Sequence, residues 1–273
     1  MITIELMGGL GNQLFQIFTL MAYAFDNRAK IVLEDKEIAI GERKIHYWDN
    51  LLSNLQLFLK PPFPTNVYVR EQAFHYVALP LLKNKDIDAK MVGYFQSYKY
   101  FQHQKDVILK FIKLNEKVAP LADNYCYEYS ISLHFRLGDY KKLQDCHPLL
   151  PVNYYIKSLQ HIERITGRQN WQVIYFCEDE DIEQVNEMIS QIQEQMPVIS
   201  FIKIDSSYSD WQQMLIMSLC RHNIIANSSF SWWGAYLNTQ ENIVCYPSKW
   251  FGTKLKKNKT KDMCPDNWNK IEV

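Results

Sequence analysis

The hydrophobic positions change their period along the chain, and each change marks an element. The apolar run Ile2–Met7 leads into the glycine-rich stretch Gly8–Gly11. After it, Leu14, Phe15, Phe18, Met21 and Ala22 recur at helical spacing. That order predicts a short strand, a turn and a helix over Asn12–Phe25. Ile31–Leu33 reads as the next strand. From about Ile45 to Phe111 the pattern loses regularity and becomes rich in aromatic residues. It carries Pro61-Pro62-Phe63-Pro64, which neither a helix interior nor a central strand accepts.

A second regular block begins near Tyr129. Strands are expected at Ser130–Phe135, Trp171–Cys177, Val198–Ile202, Asn223–Ala226 and Ile243–Tyr246. Helices are expected at Pro151–Ile165, Asp179–Glu194, Trp211–Cys220 and Ser229–Asn238, the first with proline at its start. Strands separated by helices of 10–15 residues mean βαβ units and a parallel sheet. The fold class is therefore α/β, with two Rossmann-like, doubly wound domains facing a cleft. The division expected is an N-terminal domain over 1–125, including the irregular middle, and a C-terminal domain over 126–273 with a basic tail. No internal repeat is visible.

Composition narrows the class. The 273 residues are 47% hydrophobic and 14% aromatic, which excludes a disordered chain. Thirty basic residues balance thirty acidic ones, so general nucleic-acid binding, which needs a basic excess, is not expected. Between Glu5 and Asp26 lie 20 uncharged residues, a membrane-spanning length. Gly8, Gly9, Gly11, Asn12, Gln13 and Gln16 interrupt them, and a basic flank and cleavage site are lacking. A strand, a turn and a buried helix account for the stretch better. Cys126, Cys146, Cys177, Cys220, Cys245 and Cys264 show no C-x-x-C spacing and read as reduced thiols. A cytoplasmic location is expected. Six lysines in the thirteen residues Lys249–Lys261 mark either a solvated tail or a weak contact with an anionic membrane surface.

Three motifs carry chemistry. Met7-Gly8-Gly9-Leu10-Gly11-Asn12-Gln13 lies between a strand and a helix start, where glycines admit close backbone approach and free N–H groups favour anions. It lacks the last glycine of a dinucleotide fingerprint and the Gly-Lys-Ser/Thr of a Walker A loop. His134-Phe135-Arg136-Leu137-Gly138-Asp139-Tyr140 ends an apolar strand, at the edge where open α/β sheets bind ligands. His134 and Arg136 alternate onto one strand face, and an arginine fork suits a phosphate. A structural Arg136–Asp139 pair is the plainer alternative. Asn227-Ser228-Ser229-Phe230-Ser231-Trp232-Trp233 opens a helix with hydroxyls and free N–H groups, a second anion cradle. Trp232 and Trp233 serve either packing or stacking on a base or sugar ring. Two anion sites, one with an arginine, suggest a diphosphate such as a nucleotide sugar carries.

Together MGGLGNQLFQ, HFRLGDY and HNIIANSSFSWWGAYLN resemble the family 11 glycosyltransferases, the α-1,2-fucosyltransferases. The motifs occur in that family's order and span Met7 to Asn238. The resemblance implies a GT-B arrangement with GDP-fucose bound mostly by the C-terminal domain, inversion at the anomeric carbon, and neither metal nor cofactor. Carried over by position, Arg136 holds the β-phosphate and stabilises the leaving group, and His134 lies near the nucleotide. Asn227, Ser228, Ser229, Phe230 and Ser231 hold the diphosphate. Gly9, Gly11, Asn12 and Gln13 close the site from the N-terminal side. Asp139 is the second catalytic candidate, as the orienter of Arg136 or, with Asp145 and His147, as a base for the acceptor hydroxyl. The family usually shows a second arginine where this chain has Leu137, and often an acidic residue at Gln213, whose role Asp210 is placed to cover. The implied acceptor is a terminal β-galactoside on a glycan.

Two rival readings stay open on the sequence. Asp179 and Asp181 follow a strand with D-x-D spacing and suit a metal-dependent transferase using another nucleotide sugar; alternatively they cap the next helix and complement its dipole. A non-catalytic glycan-binding protein would account for the aromatics but not for two anion cradles.

Overall fold

The computed structural model describes residues 1–35, 39–40, 43–44, 47–82 and 87–273. Of the expected irregular middle, 45–46 and 83–86 lie outside the described residues. The chain forms two compact units. One comprises Met1–Ala119 with Asn258–Pro265, the other Pro120–Lys257 with Asp266–Val273.

In the first unit, Ile2–Ile4 begins a parallel sheet in the order Ile2–Ile4, Ala89–Val92, Val67–Arg70. The last two strands fall in the stretch read as irregular. Each is only four residues long and holds a charged residue, and Tyr68 faces outward at 53% exposure, so no hydrophobic alternation long enough to predict a strand appears. Ile31 makes a single bridge to Ile2, and the expected strand at Ile31–Leu33 is displaced to Leu33–Glu34, paired with Leu59–Lys60. The helix Leu10–Asp26 is buried nearly all round, with Phe15, Ile17, Phe18 and Leu20 at most 1% exposed. A helix apolar on every side belongs in a core, which is why its sequence mimics a membrane span. Among the described residues no helix is long and apolar enough to cross a membrane.

The second unit is a six-stranded, all-parallel sheet. Its order is Ser200–Lys203, Gln172–Phe176, Ser130–His134, His222–Ile224, Val244–Pro247, Asn269–Ile271. Numbered along the chain from Ser130, the strands run 3-2-1-4-5-6, the doubly wound order of dinucleotide-type domains. The α/β class with parallel sheets, expected from the pattern, holds in both units. The outermost strand, Asn269–Ile271, was not foreseen, because three residues at the chain end carry no readable period.

Helices cover the sheet with one apolar stripe each. Val152–Thr166 buries Tyr154, Tyr155, Leu159 and Ile162, and Ile182–Gln195 buries Val185, Met188, Ile189 and Ile192. They close a core with Ile131, Leu133, Val173 and Ile224. A buried polar network locks the register midway along the central strands. Asn223 donates through Nδ2 to Ser132 Oγ and Met217 O, both at 2.7 Å, and its Oδ1 accepts from Asn238 at 3.1 Å and Asn242 at 2.9 Å. With both ends of the amide satisfied, the network specifies one strand pairing rather than merely tolerating it.

Asp210–Leu219 and Ser229–Tyr236 approach closely at Gly234, where an added Cβ would lie 2.7 Å from Met217 Cβ. Replacing glycine by alanine in a helix otherwise gains about 1 kcal/mol, but overpacking costs about 1–3 kcal/mol. Gly234→Ala is therefore expected to lower the denaturant midpoint, and Met217→Ala in the same chain to recover part of the loss. A midpoint raised by Gly234→Ala alone would refute this packing.

Candidate functional site

The sheet order places a switch point between Ser130–His134 and His222–Ile224. The first strand is flanked on its other side by strand 2 of the order, the second by strand 5. Connections leave in opposite directions there, which opens a crevice at the carboxyl ends. The loops leaving these two strands are His134–Tyr140 and Ala226–Ser231, the second and third motifs. The helix starting at Val152 ties down both strand ends: Tyr155 donates to His134 O at 3.3 Å, and Tyr154 to Ile225 O at 2.6 Å.

Arg136 occupies this edge with its side chain 25% exposed. Its Nη2 donates to Asp139 Oδ1 at 2.5 Å and its Nη1 to Glu178 Oε1 at 3.1 Å. The guanidinium carbon lies 5.0 Å from the Tyr140 ring centroid. Both carboxylates are more than half exposed. Such pairs contribute little stability; what they do is aim the fork, and other N–H donors of the guanidinium stay available to an anion. Leu137, where the resemblance leads one to expect a second arginine, is buried in the core cluster at 2% exposure. The backbone at that position points inward, so a second guanidinium would not reach the edge without a different turn.

The loops meet through ring and hydrogen-bond contacts. The His134 ring lies 5.6 Å from Phe230, Tyr140 donates to Asn227 O at 3.1 Å, and His147 stacks on Tyr140 at 4.8 Å. His134 is buried, its Nδ1 has no partner, and burial next to Arg136 lowers its pKa to about 3. It is neutral at any working pH. Within the third motif the labour divides. Ser228 caps the helix, its Oγ accepting from Phe230 N at 3.3 Å. Ser231 is buried, accepts from Ala226 N at 3.2 Å and donates to Ser228 O at 3.4 Å. Asn227 spends its Nδ2 on Pro148 O at 2.9 Å and Trp250 O at 3.2 Å. Ser229 and Phe230 are the half-buried members and offer the reachable surface. Trp232 and Trp233 are fully buried, and Trp232 stacks on Tyr236 at 4.6 Å. Of their two expected roles, packing is the one observed.

In the first unit the glycine motif forms a self-braced turn. Gly8 has φ +75°, and a Cβ there would lie 2.4 Å from Asn12 Nδ2. Gln13 is buried and donates to Gly8 O at 2.9 Å, Gln16 Oε1 accepts from Met7 N at 2.9 Å, and Gln96 donates to Asn12 Oδ1 at 2.7 Å. Gly11 is enclosed; Gly9 and Asn12 remain half-buried. The carboxamides therefore shape the turn.

The acidic run after Gln172–Phe176 stands at the start of the helix Ile182–Gln195, as expected, but its side chains are bonded elsewhere. Asp179 accepts from Ser206 at 2.7 Å and pairs with Lys203. Asp181 makes no side-chain cap to the helix it precedes; it accepts from Gly138 N at 2.7 Å and pairs with Lys141 at 2.6 Å. Glu178 and Tyr140 thus join the site, where His147 was already expected, and Asp181, expected as a metal ligand or helix cap, takes a different place in it. Tyr140 lay within a motif already singled out, whereas contacts across 42 and 43 residues leave no trace in local sequence.

The histidine yields a pH prediction. Above pH 6.5 His134 is neutral both folded and unfolded. Below it only the unfolded chain takes the proton, because the folded pKa is depressed. Stability is therefore present above that value and lost as pH falls toward 3, at roughly 1.4 kcal/mol per pH unit. Thermal midpoints of the native chain are expected to drop more steeply between pH 6.5 and 4 than those of His134→Gln. Parallel curves would show that the ring is not the neutral, buried group described.

The family model for glycosyl transferase family 11 matches residues 1–272. The O-antigen biosynthesis glycosyltransferase WbnK of Escherichia coli is 30% identical, the alignment covering 94% of this chain and 97% of the relative. An α-1,2-colitosyltransferase of Escherichia coli is 26% identical over 98% of each chain. Among solved structures, the Escherichia coli ADP-heptose lps heptosyltransferase II superposes with a TM-score of 0.48 at 11% identity, covering 99% of this chain and 89% of that one. From its first strand to its last, the chain belongs to glycosyl transferase family 11.

Proposed function

We propose that the enzyme transfers L-fucose from GDP-fucose, with inversion and without a metal, to the 2-hydroxyl of a terminal β-galactoside on a polysaccharide glycan. The observation that carries this is the Arg136 fork at the switch point of a 3-2-1-4-5-6 sheet, beside the start of the helix Ser229–Tyr236. The activities of the two relatives, O-antigen biosynthesis and α-1,2 transfer, support the acceptor class and the linkage. That the second relative is a colitosyltransferase favours one further reading, in which nucleotide-activated colitose is the donor.

In the reaction the bond from the anomeric carbon to the diphosphate breaks, its electron pair leaving with GDP. The acceptor oxygen forms the new bond on the opposite face and gives up its proton. Charge grows on the departing diphosphate, and a preorganised donor aimed at it is the largest catalytic term. Arg136 is that donor, with Ser229 and the first turn of its helix adding N–H groups. Asp179 and Asp181 are committed to Lys203 and to Gly138 with Lys141, respectively, so they do not act as a joint metal-binding pair in this reading. Of the loop groups able to take the acceptor proton, Asp139 is held by Arg136 and Asp145 by Lys254. That leaves His147, whose pKa burial lowers and whose Nδ1 lacks a partner.

Mass spectrometry of a reaction containing GDP-fucose, a panel of β-galactosides and EDTA is expected to give a product heavier by one deoxyhexose. A requirement for Mn²⁺ would overturn metal independence, and product only from a colitose donor would move the reading to the second sugar. Arg136→Ala is expected to lose on the order of 10²–10³ in kcat with the fold intact; near-native turnover would remove Arg136 from the site. If His147 is the base, kcat/KM rises with pH through a midpoint below the ordinary imidazole pKa, and His147→Gln abolishes that limb of the profile.

A further inference from the structure

Asp181 is the one aspartate or glutamate that is buried among the described residues. Enclosing a carboxylate is costly unless it is paired and hydrogen-bonded, so its partners are informative. It sits at the head of the helix Ile182–Gln195, where an aspartate ordinarily caps the first turn, yet it makes no such bond. Its Oδ2 instead accepts from the Gly138 amide at 2.7 Å, and Oδ1 faces Lys141 Nζ at 2.6 Å. Gly138 stands between Arg136 and Asp139 and has φ +35°. Three residues before Asp181 on the same segment, Glu178 takes Arg136 Nη1. The segment therefore grips the arginine turn at two points, one on the peptide and one on the side chain. Phe135 N donating to Phe176 O at 2.9 Å and the buried Leu137 fix the turn's other side.

We infer that Asp181 is the positioning residue of the anion site: by holding the Gly138 amide it sets where the Arg136 guanidinium stands. This rests on the proposed role of Arg136 toward the diphosphate. Charge is not what Asp181 supplies, because Lys141 balances it. Geometry is what it supplies, and a catalytic donor displaced by about 1 Å can cost on the order of 10² in rate.

The test is a comparison of variants with two readouts, GDP affinity by calorimetry and kcat/KM for the nucleotide-sugar donor. Asp181→Asn keeps an oxygen for the Gly138 amide and is expected to stay within about threefold of the native chain. Asp181→Ala removes that acceptor and is expected to lose about 10- to 100-fold in kcat/KM. Asp181→Glu keeps the charge but displaces the oxygen. It is expected to fall near the alanine variant, and it serves if Asp181→Ala does not fold. The decisive chain is Arg136→Ala with Asp181→Ala or, if that does not fold, with Asp181→Glu. A residue acting through Arg136 adds nothing once Arg136 is gone, so the double variant should equal Arg136→Ala alone. Losses that add, a native-like Asp181→Ala, or a glutamate variant better than the asparagine one would each overturn the inference. A native chain that neither binds GDP nor turns over donor would fail the functional reading instead, which the unsubstituted protein reveals before any variant is compared.

Discussion

The parallel pairing of His222–Ile224 with Ser130–His134 is the constraint on which the site depends. The two segments are some ninety positions apart in sequence, and each ends in a loop of modest chemical interest by itself. Laid side by side in register, His222 against Ile131 and Ile224 against Leu133, they bring an arginine turn and a helix start to one edge. The buried Asn223–Ser132 contact and its amide neighbours make that register costly to slip. The long third motif is thus mostly a fold-specifying segment. Asn223, Asn238, Trp232, Trp233 and Ser231 serve the interior, and Ser229 and Phe230 are what it presents outward.

This division explains what was legible in the sequence. The alternating block after Tyr129 was readable because its first strands are short and largely buried, as in Ser130–His134 and Gln172–Phe176, and Val152–Thr166 and Ile182–Gln195 each carry one apolar stripe, a periodicity that local sequence records. The strand class and the sheet's parallel nature followed. Val67–Arg70 and Ala89–Val92 were not readable, since four-residue strands with charged and outward-facing members carry no distinctive period. The first-unit helix was readable only through its polar interruptions. Gln13 and Gln16, which argued against a membrane span, are the residues that bind the preceding turn.

The site was legible in its residue types and less so in its roles. Arg136 and Asp139 stood in one motif, and their pairing follows from their spacing. The acidic run at 178–181 shows the opposite case. Local reasoning offered two functions for it, metal binding or a place at a helix start, and the fold, which puts it at that helix start, adds another by placing Gly138 and Arg136 against it. Carboxylates are versatile acceptors, so their spacing underdetermines their partner. The same holds for Leu137, whose apolar side chain serves the core of the second unit, which its place in the motif alone does not reveal.

The chain passes between its two units three times, at 119–120, 257–258 and 265–266. The short return segment supplies Asp262, whose carbonyl takes the Ser97 hydroxyl at 2.5 Å and whose carboxylate pairs with Lys99 at 2.6 Å. Asn269–Ile271 then completes the sheet of the other unit. Neither half is therefore encoded by one uninterrupted stretch. A recombination event, or an engineer exchanging halves with a relative, cannot succeed with a single crossover near residue 119. The segment 258–265 must travel with the first unit and the final strand stay with the second. That thread binds the two halves together, so neither can be exchanged as one contiguous module.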